Sequence, residues 1–304
     1  MKLTPGWRFQ LFYRDYVLGV LLTSLIWGLT LGSVGGGPLS FWHNLAQADR
    51  QHIIYGFLGG VVFNVANLLL VAAIEIAGLA VAFPIGIGVA LTEGVVISYL
   101  LAPQGQPVLL FGGLLLVIVA IGLDAMAYRR KEAGRGKVSS KGIGISLASG
   151  ILMGLFYPFV TKAITGPYAL GPYAVGFIFA VGILICTIPV NAGLMWRPLA
   201  GGEPVNLRGY FKVRGSWHLL AMGGGMIWCT GTILNFVPGH ARLIGPAVSY
   251  AIGNGATMIS AFWGVVIWRE FAQAPAGTGK LLALMFAFFL VGLGAIAIAP
   301  VVNF

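Results

Sequence analysis

The chain has 304 residues, of which 58% are hydrophobic and only 9% are charged, and its formal net charge is +10. Soluble domains carry about 25% charged residues, so this composition excludes a water-soluble enzyme and indicates a membrane protein. The basic residues lie in short segments between long apolar runs, which is typical of charge that sets membrane topology. No nucleic-acid partner is therefore expected.

Nine apolar runs follow one another along the chain, each long enough to cross a bilayer as an α-helix. We call them spans A to I. Their predicted bounds are 16–34, 53–76, 79–101, 107–128, 142–163, 173–195, 217–237, 245–268 and 281–302. The sequence therefore predicts an all-α polytopic membrane protein.

The distribution of Lys and Arg predicts the orientation of these spans. With the N-terminus inside, 15 of these residues fall on the cytoplasmic side and three fall on the other side. Cytoplasmic loops carry the excess of positive charge in membrane proteins. We therefore expect the N-terminus inside and, with nine spans, the C-terminus outside.

The chain also repeats itself. "YVLGVLLTSLI" from Tyr16 resembles "YAVGFIFAVGI" from Tyr173, and "GGVVFNVANLLL" from Gly59 resembles "GGMIWCTGTILN" from Gly224. Spans A to D match spans F to I in order, and the two sets run in opposite directions across the membrane. Inverted repeats are a hallmark of secondary transporters. The alternative is chance similarity among glycine-rich apolar segments.

Span E has no counterpart in the first half of the chain. The repeats then read as residues 1–128 and 142–304, joined by a basic cytoplasmic loop at 129–141. This pattern predicts a 5+5 helix arrangement that is 4+5 here, because the first helix is absent from this sequence. A shortened sequence and a genuine nine-span variant would look the same at this level.

Polar side chains in the middle of spans are candidates for a substrate site, since each needs a partner or a ligand in hydrocarbon. Asn64 and Asn67 in span B lie on one helix face and suit a neutral ligand with paired donors and acceptors. In span G, Trp228 and Thr232 align with Phe63 and Asn67, and the indole can stack on a flat ring. Helix–helix contacts and ordinary packing are the alternatives for these residues.

Spans C, E and H add further candidates. Tyr250 and Asn254 lie one turn apart beside a glycine-rich bend in span H, and Tyr157 in span E is a weaker candidate. Glu93 lies inside span C, where the cost of burying a charge favours the protonated form, so it is the candidate proton carrier. A carboxylate in a water-filled vestibule is the alternative.

Two other acidic residues are expected to have structural roles. Asp15 precedes span A and is interpreted as a helix-start acid that the helix dipole favours. Asp124 lies near the basic end of span D and is expected to pair with Arg129 or another basic residue there. The histidines show no metal-ligand spacing on one helix, so neither a metal nor a cofactor is expected.

Several segments resemble a known family, and the resemblance extends over essentially the whole chain. They include "FQLFYRDYVLGVLLTSLIWGLTLGS", "LMGLFYPFVTKAI" and "VSYAIGNGATMISAFWGVVIWREF". The layout resembles the drug/metabolite transporter superfamily and, more narrowly, the bacterial relatives of the ureide permeases, near the glucose/ribose porters. Members of that family usually begin with one more helix than this chain has.

This resemblance implies a permease that moves small polar metabolites with a proton or down their own gradient. Ureides and nucleobases rank first as substrates, and sugars are the alternative. A non-transporting membrane scaffold is a further alternative. The scattered acidic residues argue against an intramembrane enzyme. The expected partners are the substrate, a proton and the lipid bilayer, and the oligomeric state is left open, with a homodimer as one option.

Overall fold

The computed structural model describes residues 3–34, 36, 40–131, 139–240 and 244–302. Most of the predicted basic loop 129–141 lies outside these residues, as do Lys2 and Arg242, two residues on which the predicted topology depends. Helices dominate the described residues, which contain no strand. The all-α fold class predicted from the sequence is therefore confirmed.

Eleven α-helices follow one another along the described part of the chain. They are α1 Phe9–Leu29, α2 Phe41–Gln47, α3 Arg50–Ala77, α4 Leu79–Leu101, α5 Pro107–Lys131, α6 Ser140–Ile164, α7 Pro172–Trp196, α8 Gly215–His240, α9 Pro246–Gly253, α10 Ala256–Phe262 and α11 Thr278–Ile298. A π-helical turn, Trp263–Ile267, continues α10. Short 3-10 turns occupy Leu31–Ser33 and Leu207–Gly209.

Nine helical stretches of the described chain are long and apolar enough to cross a membrane, and they correspond to the nine predicted spans. One boundary differs clearly, because α1 begins at Phe9 rather than near residue 16. The charged pair Arg14 and Asp15 interrupts the apolar run and made the span look shorter. In the structure these residues lie inside the helix.

Gly78 makes the sharp connection between α3 and α4. It is the single residue between the two helices and has a φ of 82°. Only glycine adopts this backbone conformation without steric cost. The short gap between the predicted spans 53–76 and 79–101 therefore corresponds to a turn at this residue.

The chain divides into two compact units. Unit 1 comprises Met1–Leu68 and Phe159–His240, and unit 2 comprises Leu69–Pro158 and Ala241–Phe304. Each unit contains segments from both halves of the chain, and α3 and α6 contribute to both units. The repeat boundaries at 1–128 and 142–304 describe the sequence and stay a prediction.

In unit 1, α1 and α8 meet backbone to backbone at two glycines. Gly19 faces the carbonyl of Met222, and Gly225 faces the carbonyl of Tyr16. A Cβ added at either glycine would overlap the facing carbonyl oxygen. Small residues permit this close approach between membrane helices.

The α3–α7 crossing in the same unit has the same form. Gly60 faces the carbonyl of Phe179, and Gly182 faces the carbonyl of Phe57. Gly60 and Gly225 are the aligned glycines of the repeated motif "GG" in spans B and G. In these contacts Phe179 takes the place that Tyr16 has in the other crossing, whereas the sequence motif aligned Tyr16 with Tyr173.

Substituting a crossing glycine should destabilise the protein. Gly225→Ala places a methyl group against the α1 backbone, and such overpacking costs about 1–3 kcal/mol. We expect the melting temperature of the purified protein to fall by several degrees. Gly231→Ala in the same helix is the control, because an added Cβ meets no atom within 4 Å there. Equal melting temperatures for the two variants would contradict the close crossing.

Candidate functional site

A buried polar network in unit 1 joins α1, α3 and α7. Tyr13 is 1% exposed, and its hydroxyl donates a hydrogen bond to Oδ1 of Asn64 at 2.8 Å. The same hydroxyl accepts a hydrogen bond from Nδ2 of Asn67 at 3.2 Å. The two asparagines predicted from span B are therefore linked through a tyrosine of α1.

Asn64 is fully buried, and its two amide atoms differ in their environment. Its Oδ1 also lies 3.0 Å from the hydroxyl of Thr187, which can donate its one proton there or to the carbonyl of Ile183 at 2.7 Å. Its Nδ2 has no hydrogen-bond partner among the described residues. A buried donor without a partner costs about 1–3 kcal/mol. Such a group in a native structure needs an explanation, and a ligand that accepts a hydrogen bond is one.

Aromatic rings lie beside this network and form what we call the aromatic wall: Tyr16, Phe63, Phe179 and Trp228. Phe63 and Trp228 stack with ring centroids 4.7 Å apart and an interplanar angle of 27°. The ring centroids of Tyr16 and Trp228 are 6.2 Å apart, and Phe179 stacks on Trp228 with a centroid distance of 6.5 Å. The two residues that align in the repeated motif, Phe63 and Trp228, are thus direct neighbours. Trp228 is half-buried, so part of the indole is open.

Thr232 follows Trp228 by one helical turn and uses its hydroxyl proton locally. The hydroxyl donates to the carbonyl of Trp228 at 3.0 Å. A threonine hydroxyl carries a single proton, so this side chain offers only an acceptor to other groups.

The candidate residues of spans E and H lie together in unit 2. Tyr157 and Tyr250 are both buried, and their ring centroids are 4.6 Å apart. The hydroxyl of Tyr250 lies 3.3 Å from the carbonyls of Ala90 and Met153. These contacts connect α9 to α4 and α6, so the hydroxyl of Tyr250 serves helix packing.

Asn254 stands at the break between α9 and α10. Its Nδ2 donates a hydrogen bond to the carbonyl of Tyr250, in the last turn of α9, at 2.9 Å. The backbone N–H of Gly255 donates to the carbonyl of Ile252 at 2.8 Å. The helix is therefore interrupted at the glycine-rich bend of span H, and the Asn254 amide stabilises the interruption.

Glu93 is half-buried in α4 and faces Gly154 of α6. A Cβ added at Gly154 would lie 3.0 Å from Oε2 of Glu93. It makes no hydrogen bond or ion pair within the described part of the chain. Gly154 leaves room for the carboxylate between the two helices. Its glycine neighbour is a packing detail that the sequence reasoning did not foresee.

Asp15 has a different environment from the one expected. It is the seventh residue of α1 and 2% exposed, so its interpretation as a helix-start acid is wrong. Its Oδ1 accepts from the hydroxyl of Tyr210 at 2.5 Å, and its Oδ2 lies 2.6 Å from Nδ1 of His218. Burial and this contact with Asp15 raise the pKa of Tyr210 to about 12. These partners allow a carboxylate inside the helix.

Tyr13 and Thr187 are the members of the network that sequence reasoning missed. Tyr13 precedes the predicted start of span A, and Thr187 lies in a span where one hydroxyl among many apolar residues attracts no notice. An available signal was the spacing of Tyr13 and Tyr16, which the helix α1 places on one face with stacked rings 5.4 Å apart.

Removing the hydroxyl of Tyr13 should destabilise the protein. Tyr13→Phe deprives Asn64 of one donor and Asn67 of its acceptor, which we expect to cost about 1–3 kcal/mol. Tyr16→Phe is the matched control one turn later, because the Tyr16 hydroxyl makes no hydrogen bond with the described residues. Thermal unfolding of both variants checks this. Equal losses of stability would show that the network contributes nothing specific.

The family model described as "Ureide permease" matches residues 129–299. Ureide permease 1 of Arabidopsis thaliana is 21% identical over 93% of this chain and 87% of its own length. Ureide permease 2 of the same plant is 22% identical over 91% of this chain and 86% of its own length.

A bacterial protein is similar as well. A Listeria innocua protein named for sugar uptake is 23% identical over 80% of this chain and 78% of its own length. The similarity to all three proteins covers most of both sequences.

Proposed function

Because the chain belongs to the ureide permease family, we propose that it is a secondary transporter of a small neutral polar metabolite, a ureide or a nucleobase, that works by alternating access. Membership of the family makes it a multi-pass membrane transporter of small metabolites rather than an enzyme. We place it in the inner membrane of a bacterium, with the N-terminus inside and the C-terminus outside.

The observation that carries the choice of substrate is the unpaired Nδ2 of Asn64 beside the aromatic wall. Ureides and nucleobases contain amide carbonyls, which accept hydrogen bonds from such a donor. They also have flat faces that stack on an indole such as Trp228. Asn67 can contribute a second amide once a ligand competes for its bond to Tyr13.

The candidate residues of unit 2 enter this proposal with different weights. The side chains of Tyr250 and Asn254 make bonds that hold α9 in place, so they support the shape of a site more than they offer free groups. Tyr157 packs on Tyr250. Glu93 makes no bond with the described residues, which suits a carboxylate that takes up and releases a proton during transport.

The matched helix crossings of unit 1 support an inverted-repeat mechanism. Gly60 and Gly225 make equivalent backbone contacts with α7 and α1. Transporters built from such repeats move one part of the molecule against another around a central site. This supports repeats at residues 1–128 and 142–304.

Sugar transport is a second candidate function, because a similar protein of Listeria innocua is named for sugar uptake. A sugar offers hydroxyl groups to the asparagines and an apolar ring face to Trp228. It has no amide carbonyl for Asn64, which is why we rank it second.

A thermal-shift panel tests the proposed substrate. We expect allantoin or uracil to raise the melting temperature of the purified protein, since ligands that bind the folded state stabilise it. Asn64→Ala should weaken the binding of that ligand by about five- to 150-fold, because the loss of a hydrogen bond to a buried group costs roughly 1–3 kcal/mol. Asn206→Ala, which changes an exposed loop asparagine, is the control.

Trp228→Leu serves as a second variant and should also reduce the shift. A shift with glucose or ribose alone would favour the sugar candidate. An undiminished allantoin or uracil shift in both Asn64→Ala and Trp228→Leu would place the substrate elsewhere.

A further inference from the structure

A cavity of about 90 Å³ lies within unit 2, and none of its lining residues belongs to the polar network described above. Three helices supply its walls, with Phe83 and Pro84 from α4, Asp124 and Tyr128 from α5, and Thr257 and Ser260 from α10. The walls thus combine apolar groups with a carboxylate and three hydroxyl groups. None of these six residues belongs to the proposed substrate site.

Asp124 contributes an unpaired buried oxygen to this cavity. The expected ion pair with Arg129 is not present in the described part of the chain, and Oδ1 of Asp124 is buried without a hydrogen-bond partner there. The reason is geometric. Asp124 lies five residues before Arg129, whereas side chains meet on a helix when they are three or four residues apart. Burying a carboxylate oxygen without a donor or a positive charge is costly.

Two of the hydroxyl groups that line the cavity cannot donate a hydrogen bond to Oδ1 of Asp124, because they already donate their proton to another oxygen. Thr257 donates to the carbonyl of Asn254 at 2.7 Å, and Tyr128 donates to the carboxylate of Glu270 at 3.0 Å. Each hydroxyl has a single proton. The oxygens of Thr257 and Tyr128 can therefore offer only lone pairs to an occupant of the cavity.

The nearby basic residue is also engaged. Lys131 lies 3.7 Å from the carboxylate of Glu270 and 5.5 Å above the ring of Tyr128. Its charge is offset by Glu270, so none of the described basic residues is paired with Asp124. An occupant must bring a positive charge or several donors.

The backbone around the cavity is irregular on two sides. α10 begins after the break at Asn254 and continues into the π-helical turn Trp263–Ile267. Pro84 has no N–H, so the carbonyl of residue 80 lacks its helical donor. Interrupted helices supply backbone carbonyls to coupling ions in transporter folds. π-helical turns often occur at functional sites.

We propose that this cavity binds a small monovalent cation, with Asp124 as the charged ligand and the oxygens of Thr257, Ser260 and Tyr128 as neutral ligands. Hard cations prefer such an all-oxygen set. A single carboxylate suits one positive charge, and the described residues contain no group of three His, Cys, Asp or Glu for a transition metal. This inference goes beyond the proposed function, since cation binding does not depend on the substrate.

The test is the melting temperature of the purified protein in equal concentrations of sodium chloride and choline chloride at constant pH. A cation that binds only the folded state raises this temperature. We expect sodium to raise it by about 3 °C, a shift of the size produced by about 1 kcal/mol. Asp124→Asn should remove the difference between the salts. Glu75→Gln, which changes an exposed carboxylate of α3, should keep it.

Thr257→Val is the second variant and decides the matter if Asp124→Asn does not fold. It should need about tenfold more sodium for the same rise, because the loss of one neutral ligand of about 1.4 kcal/mol weakens binding by that factor. Lithium and potassium in place of sodium report the preferred ion size. Equal melting temperatures of the unchanged protein in all these salts and in choline chloride would overturn the proposal. A full sodium effect in Asp124→Asn would do so as well, as would a full sodium effect in Thr257→Val if Asp124→Asn does not fold. These outcomes leave the substrate measurements unaffected.

Discussion

The close crossings of α1 with α8 and of α3 with α7 determine most of what unit 1 can do. Because Gly225 and Gly60 bring the helix backbones together, the residues one turn further along each helix meet at short range. Those residues are Trp228 in α8 and Phe63 and Asn64 in α3. The aromatic wall and the amide network therefore depend on glycines that have no chemistry of their own. Larger side chains at the crossings would separate the helices and so disrupt both the aromatic wall and the amide network.

The bilayer sets the second constraint, since buried polar groups in a span cannot reach water. The hydroxyls of Tyr13 and Thr187 both contact Oδ1 of Asn64, and Nδ2 of Asn64 has no partner among the described residues. Unit 2 shows the same logic at Asp124, whose Oδ1 has no donor in the described chain. One surplus group is a donor and the other is an acceptor. A neutral substrate with a carbonyl and a small cation are the ligands that we propose for these two groups.

Much of the fold could be predicted from the sequence, because hydropathy reports the spans directly and the basic residues interrupt them. The predicted start of α1 was wrong, because the charged residues Arg14 and Asp15 look like the boundary of a span. Only the structure shows that Tyr210 and His218 bind Asp15 and allow it inside the helix. The residues of the candidate site were harder to predict than the spans. The spacing of Asn64 and Asn67 gave one face of α3, but Tyr13 and Thr187 come from other helices, and only packing reveals them. The environment of Asp124 was missed for the same reason, because sequence proximity to Arg129 suggested a pair that the helix geometry does not make.

A structure of the protein with allantoin or uracil bound would test the proposed site most directly. We expect a ligand carbonyl oxygen within hydrogen-bond distance of Nδ2 of Asn64 and a ligand face stacked on Trp228. The bond between Tyr13 and Asn67 should then lengthen or change partner. A ligand bound without contact to α3, with Nδ2 of Asn64 still unpaired, would contradict the central claim.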